Sequence, residues 1–256
     1  MILALVNVKG GVGKTTTAVN LGSAFAGAGL RTLVVDVDPQ ASATHSLGIA
    51  AEGDEVATLG DVLLRDVALA AATVPTTVEG LSLVPGALEL AGADLQLARK
   101  LQPERRLAKA LAPIRRRFDV IVIDSPPGLS LLSVMALCAC KGYIVPVNPQ
   151  RLAVDALERF FAGLEAAIPR HPPELIGILL TMVDHRTKVT DELVAEVRKR
   201  YGSRVLATEI PLNIRLAVAA GAGQSILEYE GWSAGAAAYR KLGGEVLRRA
   251  RRRNLL

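Results

Sequence analysis

The run Lys9-Gly10-Gly11-Val12-Gly13-Lys14-Thr15-Thr16 carries the most explicit chemistry in the chain. Glycines let the backbone curl so that successive N–H groups point inward. A helix opening directly after them adds positive potential, and the combination cradles phosphate groups. Lys14 is spaced to reach terminal phosphates and the Thr15 hydroxyl to ligate Mg²⁺. The strict pattern G-x-x-x-x-G-K-[ST] fails at one point, because its first glycine falls on Val8. A second lysine, Lys9, and the doublet Gly10-Gly11 stand in its place. A chance glycine-rich turn is the weaker reading in a strand–loop–helix context, so the expected ligand is a nucleotide.

Phosphoryl transfer to water asks for positioned charge and an oriented water. Asp124 closes the run Asp119–Ile123, where a Walker B carboxylate sits near Mg²⁺, directly or through water. Asp38 is followed by Pro39, which fixes the turn. Asp36 has a second reading, capping a strand end or holding the loop. Asn7 and Asn20 are polar near the phosphate loop, with satisfaction of backbone groups as their alternative. Pro211 and Asn213, read alone, are turn chemistry.

The elements that must position these residues follow from hydrophobic pattern. Strand-like runs recur at Ile2–Asn7, Arg31–Val37, Leu81–Pro85, Asp119–Asp124, Tyr143–Val147 and Leu175–Thr181. Helical periodicity lies between them, as at Thr15–Ala28, Leu152–Ile168 and Val189–Tyr201. Continuous Val/Ile/Leu strands alternating with helices predict a single α/β domain over residues 1–256. Its core is a doubly wound, mostly parallel sheet covered by helices on both faces. Asn7, Asp36, Asp38 and Asp124 all fall at strand ends, the edge where such sheets bind ligands.

Half of the residues are hydrophobic and 21% are charged, which excludes a disordered chain. No apolar run reaches the roughly 18–20 residues of a membrane span, and Lys9 and Lys14 break any signal-peptide pattern. Cys138 and Cys140 form neither a disulfide framework nor a CxxC pair and read as buried inert thiols, which points to a reducing cytoplasm. His45, His171 and His185 show no metal spacing. The net charge of +5 is unevenly spread: residues 186–256 hold 14 basic and 7 acidic side chains, against 16 and 18 in residues 1–185. A C-terminal third this basic suggests a polyanion partner, with a solvated helix face as the plainer reading.

The phosphate loop is the deviant Walker A form. With Val35–Gln40, Ala43-Thr44, Phe118–Pro127, Thr181–Arg186, Ile210–Leu216 and Ser225–Tyr239, it makes the chain resemble, almost end to end, a ParA/Soj-type partitioning ATPase of the ParA–MinD group. The resemblance implies ATP and Mg²⁺ as cofactors, with Thr16 at the α-phosphate. It gives Asp38 the attacking water, and Pro211 and Asn213 the adenine. Lys9 is implied to cross a dimer interface to the partner's phosphates, so that ATP holds a homodimer together and hydrolysis releases it. Arg186 and Arg215 match arginines that bind DNA in Soj-type proteins, and Lys188, Lys199 and Arg200 extend the patch. The implied cycle is nonspecific binding to double-stranded DNA on the nucleoid, ended by a ParB-type activator.

No helix-turn-helix, zinc finger or aromatic platform is evident, so phosphates rather than bases are the expected contacts. The closing helix, expected at about 232–253, adds further basic residues. Its apolar face (Leu242, Val246, Leu247, Ala250) suits packing onto the domain, whereas MinD-type relatives use such a tail on membrane. The segment Asn148–Arg151 departs from the usual short-ParA pattern. The alternatives are a MinD-like or orphan positioning ATPase acting on membrane or protein cargo, and an enzyme on the same fold such as a cluster-bridging reductase or a small-molecule ligase.

Overall fold

A computed structural model describes residues 1–50, 56–168 and 172–256; His171 lies outside the described residues. Seven strands form one sheet: β1 (Ile2–Leu5), β2 (Thr32–Asp36), β3 (Val74–Pro75), β4 (Leu81–Val84), β5 (Val120–Asp124), β6 (Gly142–Val147) and β7 (Glu174–Leu180). Their order is β3-β4-β2-β5-β1-β6-β7. Every pairing is parallel except β3 with β4. The six expected strands are all present. The seventh, β3, is a two-residue edge strand ending in Pro75, too short for any periodicity to reveal.

Among the described residues eleven α-helices flank the sheet. They are α1 (Lys14–Gly27), α2 (Ser42–Ser46), α3 (Leu59–Arg65), α4 (Ala93–Leu97), α5 (Arg106–Leu111), α6 (Leu131–Ala139), α7 (Ala153–Ala167), α8 (Lys188–Tyr201), α9 (Ile214–Gly221), α10 (Ile226–Tyr229) and α11 (Ala234–Arg252). Alternate residues of each strand enter opposite cores. Ala4, Leu33, Val35, Ile121 and Ile123 pack with α5 to α8, while Leu3, Leu5, Val34, Val120 and Val122 pack with α1 and α11. Strands buried on both sides explain the unbroken apolar runs in the sequence.

The closing helix belongs to the core. Tyr239, Leu242, Val246 and Ala250 of α11 are fully buried. Glu245, also buried, accepts backbone N–H bonds from Ala207 and Thr208 at 2.8 and 2.9 Å. Arg249 turns inward and donates to the carbonyls of Ile176, Ser203 and Val205. This arginine therefore supports the fold and is not part of a basic surface, because three aligned carbonyls satisfy its fixed fork of donors. No helix among the described residues is long and apolar enough to cross a membrane.

Cys138 lies in α6 and Cys140 is its C-terminal cap, so their side chains diverge. Burial pushes both thiols up, away from the reactive thiolate.

Candidate functional site

The phosphate loop leaves β1 at the carboxyl edge of the sheet. Asn7 anchors its start, donating to the Pro146 carbonyl at 2.7 Å and accepting from Lys9 N–H at 3.0 Å. Gly11 and Gly13 adopt φ of +69° and +82°, which L side chains rarely take, and Gly13 leads directly into α1. A Cβ at Gly10 or Gly11 would meet nothing within 4 Å, so the loop's inner wall is open. Its outer wall is closed by Thr181, whose hydroxyl donates to the Val12 carbonyl at 2.9 Å. The next residue, Met182, holds a left-handed φ of +54°, a strained conformation of the kind that accumulates at functional edges.

Lys14 is only 6% exposed and its ammonium donates to the Lys9 carbonyl at 3.2 Å. Burial lowers its pKa, while the carboxylates of Asp124 and Asp38 pull it back up. Lys9 is exposed and bonds Gln150 Oε1 at 2.7 Å. Within one chain, then, the segment that departs from the family pattern is the partner of Lys9.

Asp36 and Asp124 are register partners on β2 and β5 and are fully buried. They are used differently. Asp36 accepts from the Thr44 N–H and hydroxyl at 2.9 and 2.8 Å and from Asp38 N–H at 3.2 Å. Thr44 Oγ1 in turn accepts from Gly86 N–H at 2.9 Å. Of the two readings open for Asp36, holding the loop is the one the geometry supports. Burial, only partly offset by those bonds, raises its pKa to about 6. Both carboxylate oxygens of Asp124 lack any hydrogen-bond partner. Burial and the neighbouring Asp36 push it well above the usual carboxylate range, against the nearby Thr15 hydroxyl and Lys14. Asp38, 9% exposed, accepts from Gln40 N–H at 2.9 Å.

Orphaned buried carboxylate oxygens are costly. Here they sit beside a hydroxyl and a lysine under an open loop of N–H donors. That donor set fits a polyphosphate with a hard divalent cation: Mg²⁺ characteristically takes one or two protein oxygens and completes its shell from phosphates and water. Accordingly, among the described residues no three His, Cys, Asp or Glu side chains converge to hold a metal by themselves.

Pro211, Asn213, Arg186 and Arg215 lie at the same edge, whereas Lys199 and Arg200 do not. Pro211 bridges Val183, just beyond β7, and Asn213 caps α9, its Oδ1 accepting from Arg215 N–H at 2.9 Å. The turn chemistry of this pair is thus realised. Arg186 forms a two-pronged pair with Asp184 at 2.8 Å for both contacts, and Arg215 meets Glu230 at 3.2 Å. Arg200 pairs with Glu158 at 2.5 Å near the far end of α8, away from Arg186, while Lys188 and Lys199 are exposed. Sequence reasoning missed Thr44, Gly86, Gln150 and Thr181 as supports of the site, because each acts through a contact with a residue distant in the chain. Asn20 proved structural: it donates to the Thr16 carbonyl and accepts from Ile226 N–H at 2.7 Å, tying α1 to α10.

A family model described as an AAA domain matches residues 1–175. The chain is 39% identical over 247 residues to the sporulation initiation inhibitor protein Soj of Bacillus subtilis, covering 96% of this chain and 97% of that one. It is 36% identical to the chromosome partitioning protein ParA of Caulobacter vibrioides, at 98% and 96% coverage. Among solved structures, cobyrinic acid a,c-diamide synthase from Mycobacterium smegmatis with bound ADP and magnesium superposes with a TM-score of 0.83 at 34% identity, covering 100% of this chain and 97% of that one. The cell division ATPase MinD of Pyrococcus furiosus does so at 0.79 and 26%, with coverage of 96% and 98%. Because the likeness to Soj and ParA runs the full length of the chain and includes its phosphate loop, the protein belongs to the Soj/ParA family of partitioning ATPases.

Proposed function

We propose that this ATPase is a DNA-partitioning switch. With ATP and Mg²⁺ it closes into a dimer that binds duplex DNA without sequence preference, and hydrolysis stimulated by a ParB-type partner releases it on the nucleoid. The observation carrying this reading is that one sheet edge collects an open phosphate loop, the unpartnered Asp124 and the arginines Arg186 and Arg215.

The residues divide the work as follows. Loop N–H groups from Gly10 to Thr16 and the Lys14 ammonium bind and orient the phosphates, and Pro211 with Asn213 borders the base. Thr15, Asp38 and Asp124 would hold Mg²⁺, which would neutralise charge on the transferring phosphate. Asp38 also orients the attacking water. Lys9 exchanges Gln150 for the partner protomer's phosphates. Asp38→Ala is expected to spare ATP binding and trap the dimer, whereas Lys9→Ala binds ATP and stays monomeric. Light scattering with ATP reads both; a Lys9→Ala protein that dimerises like wild type rules out the role in trans.

Two tethers support a link from nucleotide to DNA surface. Asn20 joins the backbone of Thr16 to α10, and Gly48, after α2, crosses the Gly223 backbone beyond α9 so closely that a Cβ on Gly48 would lie 2.9 Å from the Gly223 carbonyl oxygen. The P-loop thereby reaches α10, and the Asp38 turn reaches the end of α9, which carries Arg215.

Exposed ion pairs are worth little, so DNA phosphates can displace Asp184 and Glu230 from their arginines. The double variant Arg186→Glu, Arg215→Glu is expected to lose ATP-dependent DNA binding by at least tenfold on two unrelated duplexes while still dimerising. Unchanged binding in gel shifts at two salt concentrations would leave the patch a solvated surface. A small-molecule ligase, the reading suggested by the name of the M. smegmatis protein, predicts no ATP-dependent DNA binding in the unmodified protein.

A further inference from the structure

The opposite edge of the sheet, where the strands begin, carries a second basic surface. Backbone bonds place its parts in one row: Asp119 N–H to the Arg31 carbonyl, Ile121 N–H to Met1, Lys141 N–H to Ile2 and Glu174 N–H to Lys141. The turn Arg115–Arg117 leads into β5 at this edge, held by buried Ile114. Helix α11 starts beside Asn213 at the nucleotide edge and runs down the molecule, until Leu255 packs on Gly142 at the start of β6. Arg251 and Arg252 therefore emerge next to Lys141. Only β1 separates β5 from β6, so the strand starts stand about 10 Å apart along the row, with Arg115–Arg117 on the Ile114 face of the sheet and Arg251 and Arg252 on the Leu255 face, and Lys141 at the edge between them.

These six side chains, Arg115, Arg116, Arg117, Lys141, Arg251 and Arg252, are exposed, and none forms an ion pair among the described residues. Nearby acids are few: Asp119 is taken up by Arg31, Glu174 adjoins Lys141 in the row, and Glu79 lies beside Gly80 at the β4 end. The negative end of α11 accounts for cations in its last turn but not for Arg115–Arg117. The contrast with Arg186 and Arg215, both paired with carboxylates, is sharp.

We infer that this edge is a second DNA-backbone-binding surface, available whether or not nucleotide is bound. Arginine suits phosphate. A membrane surface would ask for several exposed large apolar side chains among the arginines, whereas the flanking Ile114, Ala250 and Leu255 are buried and only Leu256 is exposed beside them. The 19 residues of α11 separate the two edges by about 28 Å, roughly three Debye lengths at physiological salt, so neither surface feels the other. One molecule can then hold two DNA segments, and a protomer that has released DNA at its nucleotide edge stays close to it.

The test is fluorescence anisotropy of the full chain, without nucleotide, on a labelled duplex across a salt series. Wild type is expected to bind weakly with a steep salt dependence. Arg115→Glu, Arg116→Glu, Arg117→Glu together should cut affinity at least tenfold and lower the slope of log affinity against log salt by about 2–3, near 0.9 per lost phosphate contact. The matching triple glutamine variant should fall between. Melting temperature and ATPase activity should stay at wild-type values, and Arg186→Glu, Arg215→Glu should leave this nucleotide-free binding within about twofold. Absence of salt-dependent binding in wild type, or unchanged binding in both triples, overturns the proposal. So does loss of phosphatidylglycerol-vesicle binding alone in those variants, which would assign the surface to lipid. A wild type that binds DNA at this edge but gains nothing with ATP would sink the switch and leave this surface standing.

Discussion

Lys14→Ala is expected to lower ATP turnover by about 10²–10³-fold, the typical cost of removing one preorganised donor from developing charge. Nucleotide affinity should fall with it. The loss should not come from unfolding. Lys14 is buried against a single carbonyl, and burial lowers its pKa, so the empty protein holds this ammonium at a cost. In the absence of nucleotide the alanine variant should therefore melt no lower than wild type, while the rise in melting temperature on adding ATP and Mg²⁺ should nearly vanish. Turnover and thermal melts on the same preparation separate the two effects. Near-normal turnover in a folded Lys14→Ala protein would remove the phosphate loop from the mechanism.

Asp124→Asn should move activity and stability in opposite directions. It removes the carboxylate that faces Mg²⁺, so turnover should drop by at least about a hundredfold, the lower range for a lost electrostatic contact. Yet the empty protein should gain stability, because a carboxyl with two unpartnered oxygens beside Asp36 is replaced by a neutral group of the same shape. A gain of about 1 kcal/mol would raise the melting temperature by roughly 2–4 °C in a chain of this size.

The pH dependence adds a second readout. Asp36 keeps its proton to about pH 6 when folded, against about 3.9 for an unfolded aspartate. The folded state binds more protons in that window, so stability of the empty protein should fall as pH rises from about 4 to 6. Burial is the first cause of that shift, so the fall should persist in Asp124→Asn. An Asp124→Asn protein that is less stable than wild type at pH 7, and keeps its Mg²⁺-dependent stabilisation, would contradict the assignment.

What the sequence determined by itself was whatever depends on neighbours in the chain. The phosphate loop could be read because glycine placement, Lys14, Thr15 and the helix start are local. Six strands could be read because a strand buried on both faces must be apolar at every position, as in Val120–Ile123. The clustering of Asp36, Asp38 and Asp124 at strand ends was legible for the same reason. Only tertiary structure could assign different duties to Asp36 and Asp124, since the pairing of β2 with β5 sets them side by side and Thr44 satisfies just one of them. Only the fold could bring Gln150 to Lys9, or turn Arg249 inward onto carbonyls of β7 and the segment after α8 while leaving Arg251 and Arg252 exposed. A charge count along the chain records how many cations there are. Burial and the carboxylate each one meets, both set by long-range packing, decide which of them remain available to a phosphate.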